Sequence, residues 1–417
     1  MVKWISGYES LIAEALVRLN EAMTIKEDGG ISFQGWGAKE NISVLSGLLE
    51  YHPDVPSDES NRMTRSAVFD AAKQGKLQAG RILTEAKRSE NNFINGPYTR
   101  YVLTSSISLG WFHPYPRLYH GNTQIILEPW HSRKFRDGYS KLLDNAARQS
   151  IDTNLPGFYS AVRVHVSGRS IFEAGEKALD ALNTIRAILN LYENSKLFTQ
   201  WRSGPPKPVN KILLGPLHFL HYPDGSLAAK ELWWFESSYR GEMAKFQPSQ
   251  NEQSDVLKFY FTVKDRLSKC KYRSEMERIL LRYVKSLDEP ISQNSFLKLW
   301  GVLEQITNTQ KNSYATTIER ASYIFEDREF EKFSLDTLRN HRNRLVHEDF
   351  DNPDLDAHLF RLKYYVEKLI VFHLFNNFGF ESLQEVGSFL SQPRDEVALD
   401  MRIKLANNAK KFLRKKI

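Results

Sequence analysis

Cysteine is almost absent from the sequence, and its absence excludes two kinds of architecture. Cys270 is the single cysteine among 417 residues, so neither a disulfide within the chain nor a cysteine-based zinc site can form. Its neighbours in SKCKYR offer no base to activate it, and we interpret it as an incidental thiol. No apolar run approaches the roughly 20 residues that a membrane span requires. Since the N-terminal segment is an acid-containing amphipathic helix rather than a signal sequence, we expect a cytoplasmic protein.

Acidic residues are missing from the last sixteen residues, RIKLANNAKKFLRKKI, which contain seven Lys or Arg. This excess equals the whole formal net charge of +7, so residues 1–401 are formally neutral. A basic tail attracts polyanions such as nucleic acid, and it also serves as a solubilising end. Both interpretations stay open.

Length and pattern predict more than one domain. A hydrophobic content of 41% with 12% aromatic residues is typical of a globular protein, and 417 residues exceed what one core usually serves. The polar stretch QPSQNEQSD, residues 247–255, predicts a boundary. We therefore predict an α+β fold, with a mixed α/β sensing or regulatory region at 1–245, possibly in two subdomains. An all-α helical bundle with the basic tail follows at 250–417.

Short patterns predict the elements of the first region. TRSAVFDAAKQGKLQAGRILTEAKRSE predicts a helix, which Gly75 and Gly80 weaken, and YTRYVLTSSISL and TQIILEPW predict strands. Apolar and polar residues alternate in GFYSAVRVHVSG, which predicts a strand. The next segment, SIFEAGEKALDALNTIRAILNLY, has apolar residues at helical spacing, which predicts a helix. Asp224 and Gly225 predict a turn. The paired tryptophans of LWWFESSY favour a core position, with base stacking as the alternative.

The stretch RNHRNRLVHED, residues 339–349, concentrates three arginines, two histidines and two asparagines. Ser334 is suited to the N-cap of its helix, with the following DNP at 351–353 ending it. Leucine and valine residues predict the core face of that helix: Leu335, Leu338, Leu345 and Val346. Asn343 and His347 then share a face, while Arg342 lies about 140° around the helix.

These residue types suit the cleavage of RNA without a metal ion. The 2′-hydroxyl attacks its own phosphate, so a site must accept one proton, donate another and stabilise the phosphorane. Histidine, with an ordinary pKa of about 6.5, transfers protons, and the arginine fork holds phosphate oxygens. The alternative is a solvated helix face, on which His347 contacts the last helical carbonyls and Arg342 pairs with an acid on a neighbouring helix.

Arg-Asn-x-x-x-His near the end of a helical bundle resembles the motif of the HEPN superfamily of ribonucleases. The segment ILLRYVKSLDEPISQNSFLKLWGVLEQIT resembles the helix pair that precedes the motif in Apea-like HEPN proteins of bacterial anti-phage defence. The resemblance extends over residues 250–380, and YTRYVLTSSISL and VRVHVSGRSIFEAGEKALDALNTIRAILNLY are similar to segments of their N-terminal regions.

The resemblance implies a metal-independent endoribonuclease that acts as an abortive-infection effector, uses no cofactor and works as a homodimer. Its substrate would be host tRNA or mRNA, or phage RNA, and a phage-derived trigger or ligand would act on the N-terminal region. Carried over by position, Arg342, Asn343 and His347 are the catalytic residues. Glu304 is an acid that can pair with the motif arginine, with an ordinary acid on a helix surface as the alternative. Asp349 stands where antitoxin-paired relatives carry a tyrosine, so control by the chain's own N-terminal region is favoured.

Three residues around the motif, Arg339, His341 and Arg344, are candidates for RNA binding, with solvated side chains as the alternative. Two other kinds of protein remain open. A non-catalytic RNA-binding or nucleotide-binding module would bind without cleaving, and a structural scaffold would do neither. A metal site formed by His113, His120, His131 and Asp137 is not supported by their spacing.

Overall fold

The computed structural model describes residues 1–25, 30–35, 37–110, 117–197, 206–230, 232–239, 246, 248–310, 312–347 and 354–414, and only the backbone of His347. Its helices are α1 Glu9–Ala22, α2 Gly37–Leu48, α3 Ser57–Lys73, α4 Ala79–Ile94, α5 Arg133–Arg148, α6 Ile171–Ser195, α7 Gln250–Lys269, α8 Arg273–Leu287, α9 Ser292–Ile306, α10 Tyr314–Ser322, α11 Arg328–His347, α12 Leu355–Phe375, α13 Leu383–Phe389 and α14 Glu396–Arg414. Its strands are β1 Lys3–Trp4, β2 Met23–Ile25, β3 Ile31–Phe33, β4 Leu49–Glu50, β5 Thr99–Ile107, β6 Arg117–His120, β7 Thr123–Glu128, β8 Ser160–Gly168, β9 Leu217–His221 and β10 Trp234–Phe235.

The first 94 residues form a small helical unit with its own core. Helices α1 to α4 surround buried residues such as Leu19, Leu45 and Val68. The helix predicted over residues 64–90 is in fact two, because Gly75 adopts a left-handed φ of +106° between α3 and α4. Its apolar positions are nevertheless buried as the pattern predicts: Val68, Ala72, Leu77, Ile82 and Ala86.

An antiparallel six-stranded sheet follows, in the order β10-β9-β5-β8-β7-β6. Strand β5 pairs with β8 along its whole length, from Thr99 opposite Gly168 to Ile107 opposite Ser160. Helix α6 covers one face, and α5 packs on the other through Leu142 against Phe219. The predicted strands at 99–107, 123–128 and 160–168 and the helix after β8 are confirmed.

The tryptophans of LWWFESSY pack on the core rather than forming a binding surface. Trp234 lies so close to α6 that a Cβ at Gly175 would be 2.5 Å from its ring, and Trp233 packs on the core beneath α5. Glycine at position 175 is therefore required by this close approach. The predicted turn forms with Gly225 at a φ of +95°.

Beyond residue 250 the described chain contains helices and no strands. Ser249 and Glu252 form a capping box at the start of α7, so the polar stretch predicted as a domain boundary contains a helix start. One buried core continues from the sheet through α6 into α8, α9 and α12. The buried core is thus continuous across residues 245–250, and a separate buried cluster lies before β5. The division into domains at 245–250 stays a prediction.

A buried ion pair also crosses the predicted boundary. The Arg186 guanidinium of α6 donates to both carboxylate oxygens of Asp288, at 2.7 and 2.6 Å, just after α8 ends. Asn210 donates to the same carboxylate at 2.8 Å. Since both charges are almost fully buried, their mutual pairing fixes how α6 meets the bundle. The C-terminal helices and the sheet therefore fold around a common interior.

Candidate functional site

Helix α11 carries the cluster of arginines and histidines and begins earlier than the sequence predicted. It starts at Arg328, with Glu329 and Glu331 in the first turn where the helix dipole favours anions. Ser334 is therefore inside the helix and is not its N-cap; its hydroxyl accepts a hydrogen bond from Arg361 Nε at 3.2 Å. A pairing with the next helix thus replaces the predicted cap.

Three of the four residues predicted for the core face of α11 are buried. Leu335, Leu338 and Leu345 are 0%, 1% and 7% exposed, and they turn this face toward the bundle. The prediction for Val346 was wrong, since its side chain is 47% exposed. Position 346 lies one residue after the buried stripe, where the helix has rotated by about 100° toward solvent.

Arg342 is held against an aromatic ring. Its guanidinium carbon lies 5.2 Å from the ring centroid of Tyr314, at the start of α10, a cation–π geometry. Arg342 Nη1 also lies 3.5 Å from Asn343 Oδ1, a long contact at the limit of a hydrogen bond. Within the described residues no acid pairs with Arg342. Its positive charge is therefore positioned but not neutralised by them.

His347 is the last residue of α11, and its side chain lies outside the described residues, as do residues 348–353 with the predicted DNP helix end and Asp349. The helical backbone reaches His347 without a break from Asn343. The two residues therefore stand about one helical turn apart, as the motif requires. The contacts of the His347 imidazole stay a prediction.

Glu304 does not form the predicted ion pair with Arg342 within the described structure. Its carboxylate accepts a hydrogen bond from the indole N–H of Trp300 at 2.9 Å, one turn earlier on α9. The Trp300 ring in turn meets Tyr314 edge-on, with 6.2 Å between centroids. Glu304 and Arg342 are thus connected through two aromatic rings rather than by a salt bridge.

His341 lies inside the bundle, which argues against the predicted contact with RNA. The residue is 5% exposed and sits between Phe296, whose ring is 5.1 Å away, and His358 of α12 at 4.5 Å. Burial, together with the nearby His358 and Arg344, lowers the pKa of His341 to about 4. The imidazole is therefore neutral at physiological pH, and its role is packing.

The other two candidates for RNA binding differ in their surroundings. Arg339 is half-buried and pairs with Asp336 at 3.0 Å, one turn before it on α11, so part of its charge is already compensated. Arg344 is exposed. Of the three flanking candidates, Arg344 is thus the one that the surface presents most fully to a polyanion.

Nothing in the sequence indicates the aromatic support beneath Arg342. Tyr314 precedes Arg342 by 28 residues and belongs to another helix, so no periodic pattern connects them. Trp300 is 2% exposed and has the sequence surroundings of an ordinary core residue. Only the packing of α9, α10 and α11 brings these rings to the motif.

A second feature that sequence reasoning missed is a cavity of about 260 Å³ between the sheet and α5. Its wall includes the stacked rings of Tyr139 and Phe219, whose centroids are 4.7 Å apart, with Trp130 and Arg136 exposed at its edge. His131 also lines it and bonds through Nε2 to the Ser105 carbonyl at 2.8 Å. The cavity belongs to the N-terminal region and is separate from α11.

Metal ligands do not assemble anywhere in the described part of the chain, where no group of three or more His, Cys, Asp or Glu side chains could hold an ion. His120 lies 3.6 Å from Glu277, whereas His131 bonds to a backbone carbonyl, so the two histidines have different partners. Asp137 pairs with Arg133 on α5. His113 is outside the described residues.

Comparison of the chain with protein-family models, curated proteins and solved structures gives no match. Among the helices described, none combines the length and apolar character needed to cross a membrane.

Proposed function

We propose that this protein is a metal-independent endoribonuclease of the HEPN type. The observation that carries the proposal is Arg342, a half-buried guanidinium fixed over Tyr314 with no described acid to neutralise it. Asn343 lies beside it, on a helix that ends at His347. Such an arrangement suits a phosphate oxygen, because the arginine needs no rearrangement to bind it.

In the proposed reaction the 2′-hydroxyl of the RNA attacks the adjacent phosphorus while its proton passes to a base. The bond from phosphorus to the 5′-oxygen breaks, and that oxygen takes up a proton, which leaves a 2′,3′-cyclic phosphate. His347 is proposed as the acid or base. Arg342 stabilises the extra negative charge of the phosphorane, and Asn343 orients the histidine or the scissile group.

The wider proposal follows from the HEPN resemblance. The chain works as a homodimer in which two motifs face one cleft, and it acts in the bacterial cytoplasm as an anti-phage effector that cuts host or phage RNA. The N-terminal region responds to a trigger or restrains the nuclease. The continuous core between the sheet and the C-terminal helices supports such control, because α6 packs on both the sheet and the bundle.

The proposal is tested by incubating the purified full-length chain with labelled RNA in EDTA and identifying product ends by mass. We expect 2′,3′-cyclic phosphate from the wild type and none from His347→Ala. Arg342→Ala should reduce the rate by roughly 10²–10³-fold. Two matched controls in the N-terminal helical unit, the exposed His52→Ala and the ion-paired Arg18→Ala, should retain most of the cleavage.

Cleavage retained by His347→Ala would contradict the assignment of the histidine. RNA that is bound in a salt-dependent way but left uncut by the wild type, with and without phage extract as a source of trigger, would favour the non-catalytic binding module. The full chain is used because the isolated C-terminal helices would lose the core they share with α6.

A further inference from the structure

Helix α14 stands out because it buries none of its residues. It has 19 residues from Glu396 to Arg414 and carries apolar side chains over its whole length. A single helix of this length without packing is only marginally stable in water, since most helical stability in proteins comes from burying one face. A partner surface is therefore missing for α14 in the single chain.

Four apolar residues of α14 form a stripe along one face of the helix. They recur at spacings of four, four and seven residues and are 60–76% exposed: Val397, Met401, Leu405 and Phe412. Exposed Lys404 and Lys411 follow one edge of this stripe, seven residues and thus about two turns apart. The helix thus offers an apolar surface with a row of positive charge beside it.

Helix α11 has an exposed apolar surface on its solvent side, with negative charge beside it. Phe330 and Phe333 are 58% and 75% exposed, about one helical turn apart. Glu329 and Asp336 follow one edge of these rings, again seven residues apart, with side chains 82% and 43% exposed. Their present partners, Lys332 and Arg339, are neighbours on the same helix whose pairing near the surface contributes little.

We propose that α14 of one copy of this chain docks on the exposed face of α11 of a second copy, and the reverse, to form a dimer with exchanged arms. The apolar stripe covers Phe330 and Phe333, and the two lysines align with Glu329 and Asp336 because both pairs have the same spacing. Reciprocal docking gives a closed two-fold interface. It also places the second copy on the face of α11 next to Asn343 and His347.

The start of α14 explains why the partner is a second copy rather than the same chain. Arg394 donates to the carbonyl of Phe325, and Arg402 Nη1 donates to Gln392 Oε1 at 2.8 Å. These contacts hold the helix in an orientation that leaves its own α11 uncovered. Docking on a second copy keeps both contacts.

The test is the mass of the full-length chain in solution, measured by light scattering and by sedimentation over a range of concentrations. We expect a dimer of twice the chain mass of 48.4 kDa. Met401→Asp with Leu405→Asp should raise the dimer dissociation constant by at least roughly tenfold. Ile403→Asp is the matched control, because Ile403 is 59% exposed on the opposite face of α14 and should leave the dimer intact.

Charge reversal identifies the partner surface. Lys404→Glu with Lys411→Glu should weaken the dimer, and adding Glu329→Lys with Asp336→Lys should restore it. A monomeric wild type, including one that binds vesicles of anionic phospholipid, would overturn the proposal. A dimer that tolerates the Met401 and Leu405 changes, or one that the second charge reversal fails to restore, would overturn it too. The docking of α14 rests on the homodimer of the proposed function, so a monomeric wild type would contradict both. The mass is measured without RNA, and a dimer that tolerates the Met401 and Leu405 changes would overturn the docking alone.

Discussion

Helices α12 and α14 have similar lengths, 21 and 19 residues, yet α12 is interior and α14 buries none of its residues. Helix α12 buries eleven residues because α6, α7 and α9 surround it. Helix α14 has an apolar stripe of its own but buries none of its residues in the described chain. An apolar stripe therefore predicts that a helix face packs against another surface. The position of the helix in the fold decides whether the same chain supplies that surface.

The interior position of α12 also buries charged side chains. In α12 the Lys363 ammonium donates to Glu367 Oε2 at 2.9 Å and to the Asn194 carbonyl at 2.6 Å, and Tyr283 donates to Glu367 Oε1 at 2.6 Å. Burial raises the pKa of Glu367 and lowers the pKa of Lys363, while their attraction opposes both shifts. Neither group has water to replace a lost partner.

The largest expected change in unfolding free energy comes from removing the buried carboxylate of Glu367 on α12. Glu367→Leu leaves the Lys363 ammonium buried without its carboxylate and should cost about 3–5 kcal/mol of unfolding free energy. Asp265→Leu is the matched control, since Asp265 pairs with Lys269 at the same spacing on the exposed face of α7 and should change stability by no more than about 0.5 kcal/mol. Urea denaturation followed by circular dichroism measures both. Equal effects would refute the contrast.

The next effect contrasts two sides of α11. Leu338→Ala creates a cavity in the bundle and should destabilise the protein by about 2–4 kcal/mol. Val346→Ala, on the exposed side, should change the unfolding free energy by less than about 0.5 kcal/mol. Denaturation midpoints measure the difference. A large loss of unfolding free energy for Val346→Ala would mean that the exposed side of α11 is buried in an assembly.

The third effect depends on pH. The pKa of His341 falls from 6.5 in the unfolded chain to about 4 in the fold, so on acidification the unfolded chain takes up the proton first. The contribution of His341 is therefore fully present above pH 6.5 and is lost as the pH falls toward 4. With partial screening by solvent, the change is up to about 2 kcal/mol. His341→Gln should make the unfolding free energy less dependent on pH across this window, measured by urea denaturation. An unchanged slope would contradict the burial of His341.

The smallest effect is expected in α14. At concentrations where the chain is monomeric, Met401→Ala should leave the unfolding free energy within about 0.5 kcal/mol of the wild type, because the side chain is 64% exposed. A loss of unfolding free energy that appears only at higher protein concentration would show that Met401 contacts a second copy of the chain. Denaturation at two concentrations measures it.

Much of the fold could be predicted from local pattern. Alternation in GFYSAVRVHVSG and the helical stripe after it predicted β8 and α6, because both elements have one face on the core. The polar stretch at 247–255 contains the start of α7, which its composition did not indicate. The capping box of Ser249 and Glu252 makes a helix start as polar as a linker.

The candidate site was predicted in composition but less well in geometry. Spacing rules relate residues only along one helix, and on that basis the sequence placed Asn343 and His347 on one face. The backbone of α11 is helical over both residues. The packing of neighbouring helices is outside such rules. In the folded chain His341 is buried against His358, and Glu304 accepts a hydrogen bond from the indole of Trp300.

The sequence by itself determined which segments become strands and helices, where the basic charge accumulates and which residues form the motif, because these follow from periodicity and residue chemistry along the chain. The tertiary structure decided which stripes became core, which histidine was neutralised by burial and which ring supports Arg342. These depend on contacts between residues far apart in the chain, and desolvation acts only once those contacts have formed.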